Sequence, residues 1–209
     1  LALNRAPEAK ATLAALMKDN PNDPEIVRVT GQAEDVVGNK QAAEELLGKA
    51  VELAPTSFPS YLALAQFYFK LNRADKASET LNEAATKVEE NVEMRRLLGQ
   101  SELARNRFDS AVHEFKRAVE LDPADLDAQF GLAVAYRKTG QLDAARDLFE
   151  RIAKKDSQFA GLALERGQLL EAQGEYEKAV DAYRAVHEKD PSDVSLNLRL
   201  GAALVEAGR

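Results

Sequence analysis

The sequence repeats itself every 34 residues, and this period limits the possible folds more than any other feature. Prolines mark it at intervals of one or two periods, at Pro21, Pro55, Pro123 and Pro191. Glu89 and Ser157 occupy the two positions where the series lacks a proline. A period of this length that runs from end to end is typical of an array of similar structural units, in which each unit packs on its neighbours.

The second half of each repeat has the pattern of an amphipathic helix. An alanine recurs without exception, at Ala9, Ala43, Ala77, Ala111, Ala145 and Ala179. A large apolar residue follows four positions later, at Leu13, Leu47, Leu81, Phe115, Phe149 and Tyr183. Three positions further on stand Leu16, Ala50, Ala84, Ala118, Ile152 and Val186. Spacings of four and three place these columns on one helical face, so we predict a buried stripe there.

The first half of each repeat predicts another helix, with a small residue at its centre. The small residues are Gly31, Ala65, Gly99, Ala133, Gly167 and Gly201. The position before them holds Leu64, Leu98, Leu132 and Leu200, and Thr30 and Arg166 in the other two repeats. Three positions after the small residue stand Glu34, Tyr68, Glu102, Tyr136, Leu170 and Leu204. Because a small side chain lets a neighbouring helix approach closely, we expect a helix crossing at this column.

A turn separates the two predicted helices. Its column holds only glycine and asparagine, at Gly38, Asn72, Asn106, Gly140, Gly174 and Gly208. These residues accept left-handed backbone angles and therefore end a helix and reverse the chain. Three positions later an acid or amide suits the positive end of the second helix, at Gln41, Asp75, Asp109, Asp143 and Glu177. The proline column then ends the second helix, because proline cannot continue it.

The columns divide the chain into a single array of repeats. Five full repeats are predicted at 24–57, 58–91, 92–125, 126–159 and 160–193. Residues 1–23 would form the second helix of a preceding repeat, and residues 194–209 the first helix of a following one. The chain starts at Leu1 and stops within a repeat, so we expect a fragment of a longer protein. The composition and the sharp repeats suggest a bacterial source.

Composition excludes several classes of function. The formal net charge of −7 argues against nucleic acid as the main partner, because phosphate binding needs a basic face. The chain has no cysteine, which excludes disulfides, thiolate metal sites and cysteine nucleophiles. No apolar run approaches the roughly 20 residues that span a bilayer. The compartment stays open between the cytoplasm and the periplasm or cell envelope.

The columns resemble the tetratricopeptide repeat (TPR), a 34-residue helix-turn-helix with small residues where its helices cross. The resemblance covers essentially the whole chain. It is strongest at Leu132, Ala133, Tyr136, Gly140, Ala145, Phe149, Gly167, Gly174, Tyr176, Ala179, Tyr183 and Pro191. It implies an all-α fold, a right-handed superhelical solenoid of about twelve antiparallel helices. The sequence departs from the family at Thr30 and Glu34, where apolar residues are usual, so we expect looser packing in that repeat.

The resemblance also implies a concave groove lined by the first helices, which binds a peptide or protein segment. The groove residues it implies are Arg28, Gln32, Leu62, Gln66, Phe69, Lys70, Arg96, Gln100, Leu103, Phe130, Val134, Arg137, Leu164, Gln168 and Glu171. Phe69 and Phe130 either anchor a ligand or fill the core between repeats. Gln32, Gln66, Gln100 and Gln168 form one column, interrupted by Val134. This glutamine column either pairs with a peptide backbone or consists of helix-forming residues on a solvent-exposed face. Cations at Lys70, Arg96, Arg137 and Lys138 favour a ligand with some acidic residues.

Two specialised functions are disfavoured. Family members that clamp the carboxylate tail of chaperones use a Lys and Asn pattern over three first helices, and no window here supplies it. His113 and His187 have no partner at metal-ligand or catalytic spacing, and the glycines serve turns and helix crossings. We therefore expect no enzyme activity, no cofactor and no metal.

The sequence favours a non-catalytic scaffold that binds another protein through its groove. One alternative is a structural module that self-associates end to end, giving a homo-oligomer. Its contacts would be the terminal stripes of Leu13, Leu16 and Met17 and of Leu196, Leu200 and Leu204. Another is the regulatory arm of a larger enzyme.

Overall fold

A computed structural model describes the backbone of residues 6–208 and the side chains of residues 9–208. The part of the predicted 1–23 segment that precedes Ala6 lies outside the described residues. Within residues 6–208 the chain forms twelve α-helices and no strand, so the all-α prediction is confirmed. These residues divide into two compact units, 6–105 and 106–208, hereafter the N-terminal and C-terminal units.

Each unit contains six helices joined by short connections. In the N-terminal unit they are α1 (Ala6–Asp19), α2 (Pro24–Val36), α3 (Lys40–Leu53), α4 (Phe58–Lys70), α5 (Ala74–Lys87) and α6 (Val92–Ala104). In the C-terminal unit they are α7 (Phe108–Leu121), α8 (Leu126–Lys138), α9 (Leu142–Lys155), α10 (Leu162–Ala172), α11 (Tyr176–His187) and α12 (Val194–Glu206). Even-numbered helices are the predicted first helices, and odd-numbered helices are the second ones. The exact division into 34-residue repeats stays a prediction.

The predicted turn column has left-handed backbone angles at every member. The φ angles range from 55° to 90° at Gly38, Asn72, Asn106, Gly140, Gly174 and Gly208. After Gly38, Asn72, Gly140 and Gly174, the following residue donates its N–H to the carbonyl five positions earlier, as Gln141 does to Tyr136 over 2.8 Å. This hydrogen bond satisfies a carbonyl that the helix end would leave unpaired. A side chain other than glycine or asparagine would be strained here.

Two of the predicted helix crossings, at Gly31 and Gly167, are close contacts. A Cβ atom added to Gly31 would lie 2.9 Å from Leu47 Cγ, and one added to Gly167 would lie 2.6 Å from Tyr183 Cε1. Both contacts join the small column of a first helix to the large apolar column of the second helix that follows. The alanine column from Ala43 to Ala179 is completely buried. Exposed Ala9, on α1, departs from it.

Most second helices end at the same place whether or not a proline follows, although α11 ends two residues earlier, at His187. The ends of α3, α5, α7 and α9 are Leu53, Lys87, Leu121 and Lys155, which are one period apart. Glu89 and Ser157 stand in the proline column after α5 and α9, so proline is not required for the helix to end there. Proline has a further role, because its carbonyl accepts a side-chain hydrogen bond from the next helix. The three donors are Tyr61 to Pro55 over 3.2 Å, Gln129 to Pro123 over 2.8 Å and Asn197 to Pro191 over 3.0 Å.

The start of α10 differs from the other first helices. Asp23, Asn91, Asp125 and Asp193 cap α2, α6, α8 and α12 by accepting backbone N–H bonds, whereas Ser57 before α4 accepts none. Phe159 stands at the equivalent position and has no acceptor in its side chain. α10 therefore begins only at Leu162, after Gly161 with φ of 80°, and is shorter, with 11 residues.

The apolar stripe predicted as an end contact on the last helix is packed inside the C-terminal unit, so this part of the prediction is wrong. Leu196 is 1% exposed, and Leu200 and Leu204 pack against the cluster of buried residues that α11 and α12 share. They lie on the face that all first helices turn toward the preceding second helix. The exposed apolar residues of α12 are instead Val194, Leu198 and Val205. On α1, Leu16 is exposed, and Leu13 and Met17 are half-buried. Self-association through these ends stays a prediction.

The polar residue Glu34 is buried in the first full repeat without being left unpaired. Its carboxylate accepts hydrogen bonds from Asn39 Nδ2 and from Lys10 Nζ, the latter over 3.1 Å. These bonds hold the pKa of Glu34 below its ordinary value, with the Asn39 bond as the largest cause. A buried carboxylate with two donors is a satisfied group. The looser packing expected for this repeat stays a prediction.

Candidate functional site

In the N-terminal unit, the predicted groove residues lie on α2, α4 and α6. Gln66 and Gln100 are exposed, so their amides can reach a ligand. Gln32 is half-buried, and its carbonyl oxygen accepts a hydrogen bond from Arg28 Nη1 over 3.0 Å. Two of the three amides in this unit are therefore available for the pairing that the glutamine column predicts. The half-buried members of this set are Arg28, Gln32, Leu62, Phe69, Arg96 and Leu103.

One predicted groove cation, Lys70, shares a buried acid with a second lysine. Lys70 Nζ lies 2.9 Å from Asp35 Oδ2, and Lys40 Nζ lies 2.6 Å from Asp35 Oδ1. Burial raises the pKa of Asp35, but the hydrogen bonds from Lys40 and Lys70 outweigh it and leave that pKa below its ordinary value. The pair joins α2 to α4. Lys70 thus helps to hold two first helices together, which reduces the positive charge that it offers to a ligand.

The two aromatic candidates are part of the core rather than free anchors. Phe69 is partly buried and packs against the main hydrophobic cluster of the N-terminal unit, as Leu62 also does. In the C-terminal unit, the ring of Phe130 lies 5.9 Å from the ring of Phe149 and 5.1 Å from that of Phe159. Of the two interpretations of these aromatics, packing between helices is the one that the contacts favour.

In the C-terminal unit, three predicted groove residues come together in one cleft between α10 and α12, bordered by α8. The residues that line it are Arg137, Gln168, Glu171, Ala172, Tyr176, Arg199, Ala202 and Glu206. We call it the α10–α12 cleft. Two other predicted groove residues, Val134 and Leu164, are half-buried and do not line the cleft. Leu164 packs against the cluster of buried residues that α11 and α12 share. Gln168 is the one buried glutamine of its column, at 9% exposure.

The charges of the α10–α12 cleft are largely paired. Arg137 Nη2 lies 2.7 Å from Glu165 Oε2, and both side chains are mostly buried. Arg199 Nη1 lies 3.6 Å from Glu171 Oε2, which also accepts a hydrogen bond from Tyr183 Oη over 2.6 Å. Burial, followed by this bond, raises the pKa of Tyr183. Arg199 keeps almost half of its side chain exposed and is therefore the cation best placed to meet a ligand here.

Arg199, Glu165 and Tyr176 were not among the predicted groove residues. Arg199 and Glu165 belong to one column, since they are one period apart, and their column holds apolar residues in earlier repeats, at Val29, Ala63 and Leu97. This change from apolar to charged residues along the column is visible in the sequence and could have indicated Glu165 and Arg199. The ion pairs that these two residues form with other helices could not be inferred from the sequence.

Other kinds of site have little support in the described residues. His113 is exposed, and His187 Nδ1 lies 2.7 Å from Asn197 Oδ1. Over the part of the chain that the structure describes, no group of three or more His, Cys, Asp or Glu side chains is arranged to hold a metal ion. Of the helices described, none combines the length and apolar character needed to cross a bilayer.

Comparison with known sequences gives a consistent family. Three sequence models of the tetratricopeptide repeat match the chain, one at residues 1–58 and 96–158, another at 38–100 and a third at 160–203. Small glutamine-rich tetratricopeptide repeat-containing protein 2 from Mycosarcoma maydis is 30% identical over 105 residues, which cover 50% of this chain and 30% of that protein. PEX5-related protein from Mus musculus is 29% identical over 196 residues, covering 94% of this chain and 30% of that protein. The chain thus spans about a third of the length of these relatives.

Comparison with solved structures gives the same fold. YrrB, a TPR protein with an unusual peptide-binding site, superposes with a TM-score of 0.70 and 21% sequence identity. The superposition covers 91% of this chain and 97% of that one. At this level of identity the likeness concerns the fold alone.

Proposed function

Because the chain belongs to the tetratricopeptide repeat family, we propose that it is a non-catalytic interaction module that binds a segment of another protein on the faces of its first helices. The observation that carries this proposal is the α10–α12 cleft, where Arg137, Gln168 and Glu171 come together. Clefts with a few convergent polar groups are the usual form of a binding site. In the N-terminal unit, Gln66 and Gln100 present exposed amides on first helices.

The pairing of charges refines the kind of segment that would bind. Lys70 and Arg137 both have carboxylate partners, at 2.9 and 2.7 Å. A ligand acid gains less beside a cation that already has a carboxylate partner. Amides can instead donate to and accept from the backbone of an extended segment. We therefore propose recognition through backbone hydrogen bonds, with charge contributing chiefly at Arg199, rather than the broadly acidic ligand that the sequence favoured.

Site-specific cross-linking tests this proposal, and the chain is well suited to it because it has no cysteine. Single cysteines at Gln66, Gln100 and Ala202 would each carry a photoactivatable cross-linker on the first-helix faces. Matched controls at Glu79 and Arg151 would carry it on exposed positions of the second helices α5 and α9. Each variant would be irradiated in extract of the source cells, and the adducts would be compared by mass.

We expect the same polypeptide adduct from first-helix positions and at least several-fold less of it from the second-helix controls. The adduct at Ala202 should decrease when Arg199 is changed to alanine in the same variant, because that cation lines the cleft. Equal adducts at all five positions, or adducts at the controls alone, would show that the first helices are not the binding face.

A further inference from the structure

A second cleft lies on the other side of α10, where α10 meets α9 and the start of α11. Its apolar residues are Phe149, Leu169 and Leu170. Its polar residues are Arg146, Glu150, Arg166, Gln173, Glu175 and Lys178. We call it the α9–α10 cleft. None of its lining residues belongs to the predicted groove, so it is a surface separate from the proposed function.

Two residues of α10 at this cleft differ from their counterparts in two other repeats. Leu170 occupies the column where Tyr68 and Tyr136 stand, and Arg166 occupies the column of Leu64 and Leu132.

In the N-terminal unit, Tyr68 fills the equivalent space between a first helix and the preceding second helix. Its side chain is 9% exposed, and its hydroxyl donates to Glu44 Oε1 over 3.1 Å. Leu64 is buried beside it in the same cluster. By contrast, Arg166 is exposed, and the shorter Leu170 leaves the place of the ring empty.

The polar groups around this space also differ from those around Tyr68. The residue equivalent to Glu44, three periods later, is Arg146. A hydrogen-bond acceptor has therefore been replaced by a cation that only donates. Nε2 of Gln173 is buried and has no hydrogen-bond partner among the described residues. A buried donor that lacks an acceptor carries a free-energy cost, and a ligand oxygen at this point would remove it.

We propose that the α9–α10 cleft receives one bulky apolar side chain of a bound polypeptide, with a carboxylate next to it. The apolar side chain takes the space that the ring of Tyr68 takes in its own repeat. The carboxylate accepts hydrogen bonds from Arg146 and Gln173, and Arg166 adds positive charge at the rim. Arg146 Nη2 lies 3.1 Å from Asp143 Oδ1, and because Asp143 is almost fully exposed, the ligand carboxylate would replace a weak surface ion pair. The apolar floor and these donors together favour this occupant over a purely apolar or a purely acidic one.

Short blocked peptides provide the probe. Acetyl-Ala-Phe-Asp-amide carries both proposed features, acetyl-Ala-Phe-Asn-amide lacks the charge, and acetyl-Ala-Ala-Asp-amide lacks the ring. Each would be titrated into the labelled protein, with the side-chain amide resonances of Gln173 followed by NMR. We expect the first peptide to shift them, the second to bind about fivefold more weakly because a partly exposed ion pair is lost, and the third to have no effect.

Variants of the protein test the location. Leu170→Tyr restores the residue of two other repeats, so it should fold, fill the space and abolish binding of the first peptide. Arg146→Gln should weaken that binding about fivefold. Arg151→Gln, at an exposed cation of the same helix, is the matched control and should leave it unchanged.

Two results would overturn the proposal. One is unchanged affinity in a folded Leu170→Tyr protein, with folding checked by its thermal unfolding. The other is the absence of any shift in the wild-type protein at millimolar peptide. Neither result bears on the first-helix faces, because the cross-linking positions Gln66, Gln100 and Ala202 lie outside this cleft.

Discussion

The contact between Gly131 and Phe115 leads to a sharp prediction about stability. Gly131 lies on α8 and faces the ring of Phe115 on α7, both within the C-terminal unit. A Cβ atom added to Gly131 would lie 2.2 Å from Cε1 and 2.4 Å from Cζ of that ring. Phe115 is completely buried, so its ring has no open side to move into. We predict that Gly131→Ala destabilises the protein.

Two opposing contributions set the size of the effect. Alanine is better than glycine in a helix interior by about 1 kcal/mol. An extra methyl group in a packed core costs about 1–3 kcal/mol, and the distances at Gly131 place this case toward the upper end. The expected net loss is therefore about 1–2 kcal/mol in the free energy of unfolding.

Gly48 provides the matched control, since it also lies inside a helix but has no atom within 4 Å of an added Cβ. Gly48→Ala should stabilise the protein by about 0.5–1 kcal/mol. Urea unfolding followed by helical circular dichroism would compare both variants with the wild type. If Gly131→Ala were as stable as Gly48→Ala, α7 and α8 would not approach as closely as described.

Two further predictions concern a buried carboxylate and a turn. The pKa of Asp35 is lower in the folded protein than in the unfolded chain. The ionised carboxylate therefore stabilises the fold fully at pH values above the pKa of the unfolded chain, and this stabilisation is lost as the pH falls through the pKa of the folded protein. Asp35→Asn should thus lower the free energy of unfolding by about 1–3 kcal/mol at neutral pH. Measured by urea unfolding, the difference in stability from the wild type should shrink below about pH 4. A difference that stays constant with pH would contradict the ion pairs. Gly140→Ala should destabilise the protein by about 1–2 kcal/mol, because Gly140 has a φ of 77°. The control Gly201→Ala should not destabilise it, since a Cβ atom there meets no other atom. Equal thermal stabilities of the two variants would refute the left-handed turn.

The local features of the fold could be predicted from the sequence because the same residue types recur at the same position in each repeat. The turn at Gly140 and the burial of Ala145 follow from residue type and helical spacing alone. Phe159 in the cap column could also have indicated the late start of α10, since the other members of that column are mostly Asp or Asn. Such features depend on a few neighbouring residues.

The side-chain pairings of the candidate site could not be predicted in the same way. Lys70 and Arg137 were interpreted as groove cations, but each pairs with an acid on another first helix, Asp35 or Glu165. These partners are 35 and 28 residues away in the sequence. Spacing within one helix therefore does not identify them. The contact at Gly131 was missed for the same reason, because it depends on the preceding helix.

The hydrogen bonds from Tyr61, Gln129 and Asn197 to proline carbonyls affect how repeats can be exchanged between proteins. Each bond joins a proline to a side chain six residues later, in the next repeat. A cassette cut at the proline would separate donor from acceptor, and the new neighbour would supply the donor only by chance. The turn at a position such as Gly140 is held by backbone groups and needs no particular partner side chain. Chimaeras joined at turns should therefore keep their junctions intact more often than chimaeras joined at the prolines.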